Sequence, residues 1–415
     1  MFFFGFGFRG TMYHSAPIYH PYPATPLYPP TREDLSATAT ISGSDIVSAN
    51  NRFTFDLYTY YARKEKDNVF LSPFSISSAL SMTQEGANGP TKDEMKKVLH
   101  LSSETKKTYE QINVLMSSLR SNDQYELKLA NALWVQKDFA LLPAFQNTVQ
   151  KYYLGKVQNL DFKNAVEPSR QTINAPIAEL TNDRIKDLIP ENSLSQDTRL
   201  VLTNAIYFKA AWANEFLPAF TKDASFTLSS GVVKKVPMMN QTDHFAYAET
   251  ADLQMVKLPY NKNELSMTVL LPKTGKLSRV ESQLSQENFE KWSKNLESAS
   301  VQLSLPKFKF GTKYFMSQDL AEMGMKTAFT DQADFSGMSK DTSLKISEVI
   351  HQTFVEVDEK GTEATAATAV VMTAAGMPTR VEPKIFTADR PFIFVIQHEK
   401  TGAILFVGRV SDPSK

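Results

Sequence analysis

Between Glu363 and Arg380 the chain reads ATAATAVVMTAAGMPT, sixteen residues without a charge, six of them Ala and four Thr. An uncharged stretch of that length implies burial, yet Ala and Thr bring little apolar area to bury. A charged turn with a glycine pivot, Asp358-Glu359-Lys360-Gly361-Thr362-Glu363, precedes it. Taken every second residue from Thr362, an extended chain presents Thr362, Ala364, Ala366, Thr368, Val370 and Met372 on one face. All are uncharged and the first four are small, so this face can enter a sheet core. The opposite face, Glu363, Thr365, Ala367 and Ala369, is expected to meet solvent. The segment therefore reads as competent to be a strand without being one at all times. The alternative is an Ala-rich helix or a buried linker, which the threonines and Val370-Val371 disfavour.

Taken whole, the 415-residue chain is ordinary for a soluble globular protein, with 42% hydrophobic and 22% charged residues. Forty-five basic residues balance 45 acidic ones, which argues against bulk attraction to nucleic acid or to an anionic membrane surface. No cysteine is present, which excludes thiol catalysis, thiolate metal sites and disulfides together. The six histidines have no metal-ligand spacing and no Gly-x-Ser-x-Gly elbow occurs, so neither metal, cofactor nor hydrolase chemistry is expected. No apolar run reaches the length of a membrane span. Residues 1–30 are crowded with Phe, Tyr and Pro and carry one charge, Arg9. Gly5 and Gly7 interrupt the first apolar run, which makes a poor secretory signal. Residues 1–45 are read as an extension (a disordered tail, a leader or an arm packed on the body), and 46–415 as one domain.

Within that domain, Ile46, Ala49, Phe53, Leu57 and Tyr60-Tyr61 recur at helical spacing. Ser72-Pro73 reads as a helix start, a Ser cap with Pro at the first helical position. Strands are expected at 127–136, 200–209, 265–271, 301–310, 354–357, 392–397 and 403–407, and helices at 168–188 and 283–295. Asn240-Gln241-Thr242 is a lone glycosylation sequon. The pairs Lys106-Lys107 and Lys234-Lys235 read as solvated surface, with a glycosaminoglycan site as the sharper alternative.

The sequence resembles the serpin family. The hinge EKGTEA at 359–364 followed by small residues is similar to that of inhibitory members. Further blocks agree in order: NVFLSPFSI at 68–76, GANGPT at 86–91, TNAIYFK at 203–209 with Trp212, ADFSG at 333–337, ISEVIH at 346–351, ADRPF at 388–392 and FVGRV at 406–410. The likeness runs from about residue 46 to 413. It departs at Pro176-Ile177, at Asn182-Asp183-Arg184 and at Ala210, where the family usually has an aromatic–Val pair, a Thr-x-Gly-Lys pattern and a Gly. These departures are expected to touch local helix and turn detail only.

The resemblance implies an α+β single domain of three β-sheets and eight or nine helices, with an exposed reactive loop at about 359–386. It implies a suicide-substrate inhibitor of serine proteases, with papain-like cysteine proteases as a second target class. The attacking enzyme forms an acyl intermediate, and the cleaved loop then inserts into the main sheet before water releases the enzyme. Gly361 is the implied pivot and Thr362 the leading residue, with Glu359, Glu363, Ala364, Ala366 and Thr368 completing the hinge. Glu359 is implied to pair with Lys307 beside Trp212, and Ser72, Ser75, Asn204 and His351 to form a hydrogen-bonded gate beneath the sheet. Counting from the hinge puts the reactive bond at Ala375–Gly376, which suits subtilisin-like, elastase-like or broad proteases; Met372, Met377 and Arg380 are the alternatives. The protein is expected to act as a monomer without cofactors, in an extracellular or periplasmic setting. A non-inhibitory carrier, chaperone or storage serpin is the second reading.

Overall fold

The computed structural model describes residues 45–102, 105–119, 121–122, 125–153, 155–340, 344–362 and 382–415. The first of the nine α-helices among them, Asp45–Lys64, buries Phe53, Leu57 and Tyr61 along the predicted stripe. The second, Pro73–Gln84, starts as its sequence indicates: the Ser72 side chain accepts from the Ser75 N–H, and Pro73 opens the first turn.

Fifteen strands, β1 to β15 in chain order, form a six-stranded sheet and a continuous nine-stranded ladder that the long strand β6 divides into two, three sheets in all among the described residues. The main sheet runs β10 (Phe308–Phe315), β11 (Ile346–Asp358), β12 (Gly361–Thr362), β4 (Leu200–Ala211), β2 (Tyr125–Gln136) and β3 (Lys156–Leu160). A second sheet joins β1 (Val69–Leu71), β15 (Ile404–Val410), β14 (Phe392–His398), β8 (Leu265–Pro272) and β7 (Leu253–Pro259) to the far end of β6 (Val233–Glu249). The near end of β6 pairs with β5 (Lys222–Thr227), and its middle with β9 (Glu297–Pro306), which carries β13 (Lys384–Thr387) on its other edge.

Two apolar layers sandwich the main sheet. One side shares the large core with the second sheet and the helix Pro73–Gln84, through residues such as Leu202, Ile206, Phe70, Ile76 and Phe406. On the other side, the helix Val166–Leu180 sets Ile173 and Ile177 against Trp134, Val201, Ala205 and Ile350. That helix ends earlier than the 168–188 reading, because Asn182 and Asp183 turn the backbone to φ 49° and 60°. The single strand expected at 301–310 is two strands. The chain crosses from the third sheet to the main one at Lys307, just after Pro306, which has no N–H to continue a ladder. The helix expected at 283–295 is found as Gln286–Ser293, capped by Ser285, with a separate short helix, Leu277–Gln283, before it.

Candidate functional site: a latch and a gate on the main sheet

The centre of the main sheet has two regimes. From Ile346 to Thr353, β11 lies directly beside β4, parallel, with His351 opposite Asn204 and Thr353 opposite Ile206. Above that point the two strands separate. At the top, β12 fills the space, with Thr362 paired to Val357 on one side and to Ala210 on the other. The chain reaches that position by turning back tightly after Asp358, whose carboxylate accepts from the Lys360 and Gly361 N–H groups. Gly361 is required there: its φ is 154°, and a Cβ would lie 2.2 Å from the Ala210 carbonyl oxygen. Ala210 thus belongs to the hinge seat, although the sequence comparison placed it among incidental departures.

Around this hinge stands a latch. Thr362 is 1% exposed, and its hydroxyl shares a 2.7 Å hydrogen bond with Tyr260. Tyr260 stacks on Trp212 with ring centroids 4.6 Å apart and planes 8° from parallel. Trp212 in turn donates from its indole N–H to the Asp358 carbonyl and from its backbone N–H to that of Lys360. The Glu359 carboxylate accepts from Lys307 Nζ at 2.7 Å and from the Thr221 hydroxyl at 2.8 Å, and its carbonyl accepts from the Phe216 N–H. Burial works to raise the Glu359 carboxyl, but the Lys307 and Thr221 hydrogen bonds outweigh it and hold the group below the usual carboxylate range. The ion pair itself contributes at most about 1 kcal/mol, since Lys307 is partly solvated. Its position matters more, because it ties the turn to the crossing between two sheets.

Six residues down β4 from Ala210, around Asn204, the four sequence-predicted gate residues come together, all fully buried. His351 accepts at Nε2 from the Ser72 backbone N–H, 3.1 Å away, so its proton sits on Nδ1 and is donated to Asn204 Oδ1. Asn204 Nδ2 donates to Ser75 Oγ and, at 2.6 Å, to Asn131 Oδ1. The Ser72 hydroxyl is used elsewhere, on the Leu405 carbonyl. Burial pushes the His351 imidazole down to about 3, so it is neutral across the physiological range. No serine hydroxyl of the gate is bonded to this imidazole, and none is open to solvent. The cluster therefore lacks the nucleophile–base contact of a hydrolase.

Asn131 and Tyr260 were not singled out from sequence. Asn131 had a signal: it is the one polar residue on the inward face Leu127, Leu129, Leu133 and Val135 of β2. Tyr260 had none, since it joins the latch only through folding. Glu363, Ala364, Ala366, Thr368, Met372, Ala375, Gly376, Met377 and Arg380 lie outside the described residues, as do residues 1–44.

On the face of the main sheet opposite Thr362, Thr203 is buried and Ala205 and Ile350 pack beneath the helix Val166–Leu180. The sequon residue Asn240 sits in β6 with its amide donating to the Phe220 and Met238 carbonyls and accepting from Ser304 Oγ. A glycan on that nitrogen would have to break this packing. Lys234 is spent on Asp412 at 2.6 Å and Lys235 on Ser225 at 3.1 Å, which fits the solvated-surface reading of that pair.

The family model described as serpin (serine protease inhibitor) matches residues 48–413. An uncharacterized serpin-like protein of Thermococcus kodakarensis is 43% identical over 396 residues, covering 95% of this chain and 91% of its own. The human leukocyte elastase inhibitor is 39% identical over 383 residues, 88% of this chain and 99% of the inhibitor. Among solved structures, human thyroxine-binding globulin superposes with a TM-score of 0.82 at 31% identity, covering 89% of this chain and 99% of the globulin. With its three sheets, its sheet-top hinge and a family match over nearly its whole length, the chain belongs to the serpin family.

Proposed function

We propose that this serpin is an inhibitor that traps serine proteases by inserting its cleaved loop into the main sheet. One observation carries the reading: the hinge Gly361–Thr362 is already hydrogen-bonded on both sides between β4 and β11, at the point where those strands part. Insertion then only propagates a strand whose first residues are in place. Everything that follows on Thr362's face, Ala364, Ala366, Thr368, Val370 and Met372, is uncharged. A bulky or charged residue there would favour the second reading, a non-inhibitory carrier. The likeness to a hormone-binding globulin keeps that reading in view.

The ladders of the seated hinge also bear on the reactive bond. Both are antiparallel, so each step along the loop is one step back along β4, and Met372 would meet Leu200, the first residue of that strand. Ala375 follows Met372 by three residues and Arg380 by eight. Cleavage after Ala375 leaves little slack, so the attached enzyme is drawn against the far end of the sheet while its acyl bond is intact. The span from Thr362 to Ala375 is roughly 45 Å at about 3.3 Å per residue. The likeness to an elastase inhibitor and a small residue before the cut both favour elastase-like or subtilisin-like targets.

Mixing the protein with subtilisin or an elastase tests this. An SDS-stable complex, with a released carboxyl-side fragment beginning at Gly376 by mass spectrometry, is the expected result. Cleaved inhibitor beside fully active protease, across a panel that includes papain, would favour the carrier reading.

A further inference from the structure

Of the hydroxyls on the helix Pro73–Gln84, one is left over. Ser75 donates to Asn131, Ser77 to Asn50 Oδ1 or the Phe74 carbonyl, Ser78 to the Phe74 carbonyl and Thr83 to the Ala79 carbonyl. Ser81 has the option that Ser78 and Thr83 use, a bond back to the carbonyl four residues earlier, and does not take it. It is 4% exposed, and its hydroxyl has no hydrogen-bond partner among the described residues. It lines a cleft of about 380 Å³, open mouth included, between this helix and the helices Asp45–Lys64 and Thr105–Ser118. That size is at the lower end of clefts that hold small ligands. The walls are apolar: Phe74, Leu99, Ile112, Leu115 and Met116, with the Tyr153 ring, whose hydroxyl is spent on Glu85. None of the lining side chains is charged, and none belongs to the latch or the gate.

We propose that this cleft binds a small neutral amphiphile, an apolar body the size of a substituted phenol ring, whose single hydroxyl pairs with Ser81. Each part of that description follows from the lining. A charged ligand would be buried without a counter-ion. A wholly apolar one would leave the Ser81 hydroxyl unpaired, at the cost of a lost hydrogen bond. A ligand with several polar groups would meet too few partners, because the Ser77 and Ser78 protons are already committed and only Ser81 can still donate. One hydroxyl on an apolar ring satisfies Ser81 and gives the remaining walls apolar surface to cover. The walls can also yield to a ring, since Met116 is unbranched and polarizable and packs well against aromatic faces. Because the cleft shares no residue with the latch or the gate, binding here needs no cleavage of the reactive loop and holds for an inhibitor and for a carrier alike.

The test uses the uncleaved, full-length protein with labelled methionine methyl groups, and Met116→Leu identifies the Met116 signal in the methyl spectrum. Three probes of one shape are titrated: 4-methylphenol, toluene and benzoate. 4-Methylphenol should shift the Met116 methyl saturably and bind at least as tightly as toluene, while benzoate should leave that signal in place. Ser81→Ala should weaken 4-methylphenol about fivefold, the worth of one hydrogen bond, and leave toluene unchanged. A Met116 methyl that neither 4-methylphenol nor toluene moves, up to their solubility limits, overturns the site. Toluene binding clearly tighter than 4-methylphenol in wild type overturns the anchoring role of Ser81, and this comparison needs no variant to fold. Equal losses for both probes in Ser81→Ala, or no loss for either, overturn it as well. Benzoate shifting Met116 as strongly as 4-methylphenol overturns the selection for a neutral ligand.

Discussion

Thr362→Arg places a guanidinium where the structure has a 1% exposed side chain under Tyr260 and between Ala210 and Val357. Two costs follow. The Tyr260–Thr362 hydrogen bond is lost, leaving a buried phenol without its partner, at about 1–2 kcal/mol. A charge must also be buried without a counter-ion, at several kcal/mol even after relaxation. Among the described residues, the nearby Glu359 carboxylate is already taken by Lys307 and Thr221. The variant hinge therefore leaves its seat in the uncleaved protein, and the leading residue resists entry after cleavage. Inhibition is a race between insertion and hydrolysis of the acyl bond, and about 1.4 kcal/mol is a factor of ten in rate. A penalty of about 3 kcal/mol, the low end of the sum, slows insertion roughly a hundredfold. The variant should then be consumed as a substrate. The assay titrates a fixed amount of subtilisin or elastase and resolves the products on a denaturing gel. Wild type should give mostly complex, and Thr362→Arg almost entirely cleaved serpin. Complex yield unchanged from wild type would mean that Thr362 does not lead the insertion and that the seated hinge has been misread.

The gate predicts a pH response. His351 titrates near 6.5 when exposed and near 3 in the fold, so its neutral form stabilises the protein above pH 6.5 and that contribution is lost as pH falls toward 3. The total is up to about 5 kcal/mol; unfolding of wild type and His351→Gln at stepped pH should show the slope in the first and a flatter one in the second. Gly361→Ala should expel the hinge by collision with the Ala210 carbonyl, read as increased hydrogen exchange at Thr362 and altered Trp212 fluorescence. Glu359→Gln should lower the melting temperature by no more than about 2 °C, because the pair it breaks is partly solvated, yet hasten slow conversion to polymers or an inactive form on warming. Deleting residues 1–44 should leave complex formation with protease unchanged on the same denaturing gel.

How far these features were legible before folding differs from one to the next. The first two helices follow from local signals: an apolar stripe at helical spacing and a Ser-Pro cap. Most core strands follow from their β-rich composition, because burial on both faces leaves few polar residues in β4 or β14. The more exposed strands were harder. β5, β6 and β13 are partly exposed and polar, so their patterns resemble loops, and only pairing to neighbours makes them strands. The break at Lys307 was hidden for a related reason, since local preference cannot tell one strand from two that belong to different sheets.

Chemistry read from the chain alone was mostly a matter of bounds. A charge-free run of Ala and Thr after a glycine pivot is competent to enter a sheet without burying a charge, and a chain without cysteine cannot do thiol work. Likeness to known blocks then nominated His351, Asn204, Ser72 and Ser75. Which atoms meet was decided by tertiary structure. Residues 279 positions apart, Ser72 and His351, touch through a backbone N–H and not a hydroxyl, which turns an apparent catalytic pair into a structural one. Tyr260 joined the latch only once strand register was set. Register is a property of pairing between distant strands, and no single strand's sequence encodes the partner it will face.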